Sequence, residues 1–134
     1  MIPSIVPAYA AALACLFVLL SLRVIAGRRL FKVGIGAGGH APLERRMRVQ
    51  ANFAEYTPLA LILLTFIEMQ KASLLLVHAL CISLLAGRAL HAAGVSRDRE
   101  MLIFRQVGMA LTFTVIIVSA LLLWAGALGY GTST

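Results

Sequence analysis

From Ile5 to Leu22 the chain carries no charged residue, and from Gln106 to the C-terminus it again carries none. Apolar runs of roughly 20 residues match the hydrocarbon thickness of a bilayer, where only structures that satisfy their own backbone hydrogen bonds persist. Two further runs, Leu59 to Ile67 and Ser73 to Gly87, lack Asp, Glu, Lys and Arg. The chain is therefore expected to be an all-α integral membrane protein, a bundle of four transmembrane helices at about residues 5–26, 43–69, 73–93 and 101–128. Composition agrees, with 61% hydrophobic and 13% charged residues, against a charged share of about a quarter in soluble domains. At 134 residues the four spans leave no room for a separate soluble domain, so 1–134 reads as one membrane domain whose function lies in the helices and their ends.

The first run lacks a basic n-region, exceeds a signal-peptide core in length and is not followed by an A-x-A cleavage site, so it reads as a retained helix. Arg23 near its end is expected to snorkel to the headgroups. Gly34, Gly36, Gly38 and Gly39, followed by Pro42, form a connecting loop; no Gly-Lys-Ser/Thr follows that would make it a phosphate loop. Pro58 lies inside the second helix, where it offers no N–H to the carbonyl of Ala54 and predicts a kink. Glu68 and Lys71 are expected to end that span and do no more. His78 reads as an interfacial histidine. The three histidines, at 40, 78 and 91, lack the paired spacing of a zinc site, so no metal is expected. Cys15 and Cys81 sit in different spans and read as packing residues. Trp124 and Tyr130 suit the far interface as aromatic anchors.

Nearly all Lys and Arg lie in the connections between helices one and two and between helices three and four, which places both termini on the non-cytoplasmic side. The same distribution accounts for the net charge of +7 without a nucleic-acid partner. Arg45, Arg46, Arg97 and Arg99 read as topology signals. Arg48, Arg88 and Arg105 differ, because each lies inside a helix beside other polar groups. Arg48, Asn52 and Glu55 fall within about 60° of one another on a helix turning 100° per residue, a cation, an amide and a carboxylate on one stripe at the membrane boundary. An ionisable group there is costly unless it faces protein, water or a ligand. The stripe predicts a site for a small zwitterion.

At these residues the chain resembles a known family. Arg48-x-Gln50-x-Asn52-x-x-Glu55-Tyr56-x-Pro58 is similar to the second-helix signature of the membrane-associated proteins in eicosanoid and glutathione metabolism, the MAPEG family, in particular its short bacterial, YecN-like branch. Arg28-Arg29, Gly38-Gly39, Gly87-Arg88-x-x-His91 and Arg105 follow the family in order and position. The resemblance implies a homotrimer of four-helix bundles in a bacterial inner membrane, with glutathione between neighbouring subunits near the cytoplasmic end. It implies glutathione contacts from Arg48, Gln50, Asn52, Glu55 and Tyr56, completed by Arg28 or Arg29 with Arg88 and His91, and puts Arg105 beside the thiol. Val95 stands where the family has a tyrosine four residues after the His91 position, so one expected contact is missing.

The chemistry of the residues fits that ligand. Glutathione carries two carboxylates and one ammonium, and guanidiniums clamp carboxylates while a buried acid holds an amine. A free thiol is only a few per cent ionised at neutral pH, and a neighbouring guanidinium raises that fraction. The expectation is thus a glutathione-dependent transferase or peroxidase acting on lipophilic electrophiles that arrive through the membrane lipid. Two other classes compete. A small multidrug exporter would want a carboxylate in the middle of the first helix, and this one has none. A non-catalytic lipid-binding scaffold would leave Arg105 without consequence.

Overall fold

A computed structural model describes residues 2–95 and 101–129. Arg97, Arg99 and Tyr130, assigned above to topology and anchoring, lie outside the described residues. Four α-helices follow one another: α1, Val6–Phe31; α2, Ala41–Met69; α3, Leu74–Val95; and α4, Leu102–Ala127. A helix stands at each of the four expected positions, and α1 runs a full turn further than the apolar pattern suggests, because Arg28 and Arg29 remain helical. Lys32 then takes the left-handed conformation (φ 54°), and the Val33 N–H closes back on the Arg28 carbonyl at 3.0 Å. Arg28 Nη1 donates to the carbonyls of Gly34 (3.1 Å) and Gly36 (3.0 Å), so the glycine-rich connection is folded back onto the helix it leaves.

Helices α1, α3 and α4 are each long and apolar enough to cross a membrane. Helix α2, at 29 residues, extends about 43 Å, longer than a hydrocarbon core of roughly 30 Å, and its surplus length is the charged segment Glu44 to Arg48. Pro42 in its first turn and Glu44 at the positive end of the helix dipole suit a helix start. The helix continues through Pro58 without interruption.

Helix α3 is the most enclosed, packing against all three others, and α2 does the same. Helices α1 and α4 flank this central pair without touching each other among the described residues. Leu13, Leu20, Phe53, Leu64, Val77, Leu84 and Val115 fill the core. The outward faces of α1 and α4 stay apolar, with Val18, Leu19, Ile117, Leu121 and Trp124 all exposed, as a lipid-facing surface requires. Cys15 lies on that exposed face, while Cys81 is buried.

The most extensive helix pair, α3 with α4, depends on the absence of side chains at two points. A Cβ on Gly108 would stand 2.6 Å from both the Gly87 carbonyl oxygen and the His91 nitrogen, and one on Gly94 would stand 2.8 Å from the Arg105 nitrogen. Small residues let membrane helices approach backbone to backbone; here they bring Arg88, His91 and Arg105 to one end of the bundle.

The opposite end corrects an expectation. Glu68 does not merely end a span: it is buried, and its carboxylate accepts the backbone N–H groups of Ser4 (2.6 Å), Ile5 (2.7 Å) and Val6 (2.8 Å). The start of α1 has no side-chain cap of its own and no acidic residue in its first turn. Glu68 supplies both from another helix, satisfying orphan amides and complementing the positive end of the helix dipole. His78 is exposed at the same end and pairs with the Tyr9 hydroxyl at 3.0 Å.

Candidate functional site

At the end where the arginines gather, an open cleft of about 540 Å³ is lined by Ala41, Glu44, Arg45, Arg48, Ala51, Asn52, Glu55, His91, Val95 and Arg105. Its volume lies in the range of small-molecule sites, roughly 300–1,000 Å³. The stripe read from α2 is the main wall of this cleft, Arg48, Asn52 and Glu55 facing it in successive turns, while His91 from α3 and Arg105 from α4 form the opposite wall. Three guanidiniums and two carboxylates thus surround one space, an arrangement of mixed charge with a net excess of cation.

Arg88 is not in that wall. It lies behind it, 1% exposed, and spends its donors on neutral acceptors: Nε to Thr112 Oγ1 at 2.9 Å, Nη1 to Asn52 Oδ1 at 2.7 Å, and Nη2 to Met109 Sδ at 3.3 Å and the Gly108 carbonyl at 3.5 Å. Burying a charge is expensive, and hydrogen bonds to dipoles offset only part of that cost. The guanidinium therefore adds positive potential to the floor of the cleft. Tyr56 is half-buried beside this layer, its ring edge-on to Phe113 with centroids 5.4 Å apart.

Arg28 and Gln50 open on a different space. A second cleft of about 410 Å³, lined by Val24, Arg28, Ala37, Glu44, Met47, Arg48, Gln50 and Ala51, lies between α1 and α2. It shares Glu44, Arg48 and Ala51 with the first, so the charged end of α2 is a wall common to both. Gln50 reaches the Ser21 hydroxyl at 3.5 Å. Arg29 is exposed and borders neither cleft. Further along the α1–α2 face, Ala10, Leu13, Ala14, Phe17, Phe53, Pro58 and Leu61 line an apolar groove of about 260 Å³.

Of the ten residues singled out in the sequence, Arg48, Asn52, Glu55, His91 and Arg105 meet in one cleft; Arg88 supports it from behind; Tyr56 lies beside that support; Arg28 and Gln50 border the neighbouring cleft; and Arg29 stands apart. Two charged wall residues, Glu44 and Arg45, stand outside the set that the sequence singles out. Glu44 lies four positions before Arg48, and Arg45 was read only as a topology signal. The helical repeat that grouped Arg48, Asn52 and Glu55 extends back to Glu44, so its spacing was visible; its position ahead of the apolar run hid it. Arg46 donates to the Arg23 carbonyl at 3.1 Å, and this ties α2 to α1 as well as adding charge.

The sequence model of the MAPEG family matches residues 6–125, which takes in both clefts and all four helices but for the last two residues of α4. The chain is 34% identical over 113 residues to the inner membrane protein YecN of Escherichia coli K12, covering 84% of this chain and 85% of that protein. It matches YecN of Escherichia coli O6:H1 strain CFT073 to the same extent. The order of the four helices, the length of the match and the position of the α2 motif within it lead to one conclusion: the chain belongs to the MAPEG family, whose four-helix membrane bundles are typically trimeric.

Proposed function

We propose that the cleft between α2, α3 and α4 binds glutathione and that the protein is a membrane-bound glutathione-dependent transferase for lipophilic electrophiles. The observation that carries this reading is the wall composition: Arg48, Asn52, Glu55, His91 and Arg105 around one space of about 540 Å³. On this reading Arg48 clamps a carboxylate, Glu55 takes the ammonium, and the Arg105 guanidinium holds the sulfur as thiolate. When bound, glutathione supplies the nucleophile, its sulfur forming a bond to an electrophilic carbon as the leaving group departs with its electron pair. The protein contributes charge placement and orientation.

On this reading the protein assembles as a homotrimer in the inner membrane of a bacterium, as its family and its YecN relatives suggest; the exposed Glu55 and the two clefts that share one wall support burial by a neighbouring subunit. In such an assembly the α1–α2 face of one subunit, with Arg28 and Gln50, closes the cleft of its neighbour. The apolar groove on that same face then offers the lipophilic substrate a path from the bilayer, and the positive-inside distribution puts both termini on the outer side.

Calorimetry of the purified protein in detergent tests the reading. Glutathione is expected to bind with a Kd between micromolar and low millimolar, with at least a tenfold loss in Arg48→Ala and Glu55→Gln. Arg105→Ala should keep binding but lose turnover of a lipophilic electrophile. The absence of detectable binding at several millimolar would refute the proposal. Binding with unchanged thiol reactivity in Arg105→Ala would favour the non-catalytic scaffold.

A further inference from the structure

Asn52 is the chain's single asparagine, and its two amide ends are chemically opposite: the oxygen only accepts hydrogen bonds and the nitrogen only donates. Which end faces a ligand decides what the ligand must be. The surrounding hydrogen-bond network decides which end faces which way. Here the network leaves no choice. Arg88 Nη1 stands 2.7 Å from Asn52 Oδ1, and a guanidinium has donors only, so the atom it meets must be the oxygen.

Arg88 in turn cannot release it. The side chain is 1% exposed, and its Nε donates to Thr112 Oγ1 at 2.9 Å. The Thr112 hydroxyl spends its one proton on the Gly108 carbonyl at 2.9 Å, so only its lone pairs face Arg88. The guanidinium plane is therefore fixed at Nε by Thr112 and at Nη1 by Asn52, with Gly108 and Met109 behind it. The other branch of the amide, Nδ2, has no acceptor among the described residues, and Asn52 itself lines the cleft.

We infer that Arg88 is a positioning residue that holds the Asn52 amide oxygen inward and so presents the amide N–H₂ to the cleft, selecting a ligand with an acceptor, such as a carboxylate, at that point and rejecting one with a donor. The inference deepens the glutathione reading and rests on it only for the ligand's name; the class of ligand group follows from the amide. A structural role for Arg88 alone would predict loss of stability on removal with no change in which ligand group is preferred.

Two measurements test it. Because one asparagine is present, selective ¹⁵N-asparagine labelling isolates a single side-chain amide in the spectrum of the detergent-solubilised protein. The two amide protons should be resolved and should shift on titration with glutathione and with glutarate, a simple dicarboxylate. A shift with glutarate and none with glutathione would leave the orientation standing and count against glutathione; a shift with neither overturns the inference. The second measurement is Asn52→Asp, which keeps an oxygen on Arg88 and replaces the donor facing the cleft by an acceptor. Asn52→Asp should keep its melting temperature, bind glutarate at least tenfold more weakly, and bind the neutral diamide glutaramide at least as well as the native protein does. Unchanged glutarate binding in Asn52→Asp would refute a donating amide. Arg88→Met, where it folds, should lose the carboxylate-dependent amide shift, and retention of that shift would refute the role of Arg88.

Discussion

Replacing Glu68 by alanine removes the cap of a helix that begins more than sixty positions earlier in the chain, and the structure sets the size of the effect. Three backbone N–H groups converge on this carboxylate at 2.6, 2.7 and 2.8 Å, and the Ser4 hydroxyl adds a weak fourth contact at 3.3 Å. The Ser4 and Ile5 amides are only partly buried, so interfacial water can replace the carboxylate there, and each loss resembles that of an N-cap at about 1 kcal/mol. The Val6 amide is buried, and leaving it without an acceptor costs about 1–3 kcal/mol. Together these losses amount to about 3–5 kcal/mol.

Glu68→Gln keeps one acceptor oxygen and should lose about half as much, whereas Ser4→Ala should lose less than about 0.5 kcal/mol, since only the long hydroxyl contact goes. Thermal unfolding in detergent is the assay, with hydrogen exchange across Val6 to Ala10 as the local readout. For a chain of this length, Glu68→Ala should lower Tm by about 10 °C or more, and the exchange of the first turn of α1 should accelerate even well below that temperature. A Tm within about 2 °C of the native protein would show that the cap contributes little in the membrane environment, and the reasoning would fail.

Gly108→Ala should destabilise the bundle by about 1–3 kcal/mol through overpacking, because its Cβ would stand 2.6 Å from the Gly87 carbonyl. It should also weaken glutathione binding by displacing Arg88; unaltered melting and binding would contradict the close α3–α4 approach. Tyr56→Phe keeps the edge-on packing against Phe113 and should leave Tm unchanged, so any loss of glutathione affinity measured by calorimetry would belong to the hydroxyl. Arg28→Ala should release the loop at Gly34 and Gly36, seen as faster hydrogen exchange of residues 33–39 with the helices unaffected.

The four helices were legible because the apolar runs match the thickness of a bilayer, and the cleft wall on α2 was legible because a single helix converts spacing into direction without help from any other element. Arg48, Asn52 and Glu55 needed only the angle per residue. Arg88 shows where such reasoning stops. The resemblance to the family signature implies that it joins His91 among the ligand contacts, and a signature carries no information on depth. Whether a residue of α3 reaches the cleft or lies behind it depends on how closely α4 approaches, which Gly87 and Gly108 decide together from different helices. Glu68 is the same lesson at the other end: the missing cap of α1 can be seen in the sequence, but its supplier is 62 to 64 positions away, beyond any local pattern.

Helix α2 gives the charged end of the bundle its chemical character, since Glu44, Arg48 and Ala51 border both clefts. The two spaces open on neighbouring sides of the same helix, one toward α1 and the other toward α3 and α4, and neither is enclosed within one chain. Glu55 remains exposed along the membrane-entering part of α2, where a carboxylate facing lipid is costly. On the proposed reading, a neighbouring subunit resolves both conditions by covering Glu55 and bringing its own Arg28 and Gln50 to the open side of the cleft. Glutathione binding should then depend on assembly. Detergent conditions that dissociate the oligomer without melting the helices should abolish binding, and full affinity in a monomer, measured by calorimetry alongside light scattering, would overturn the shared site.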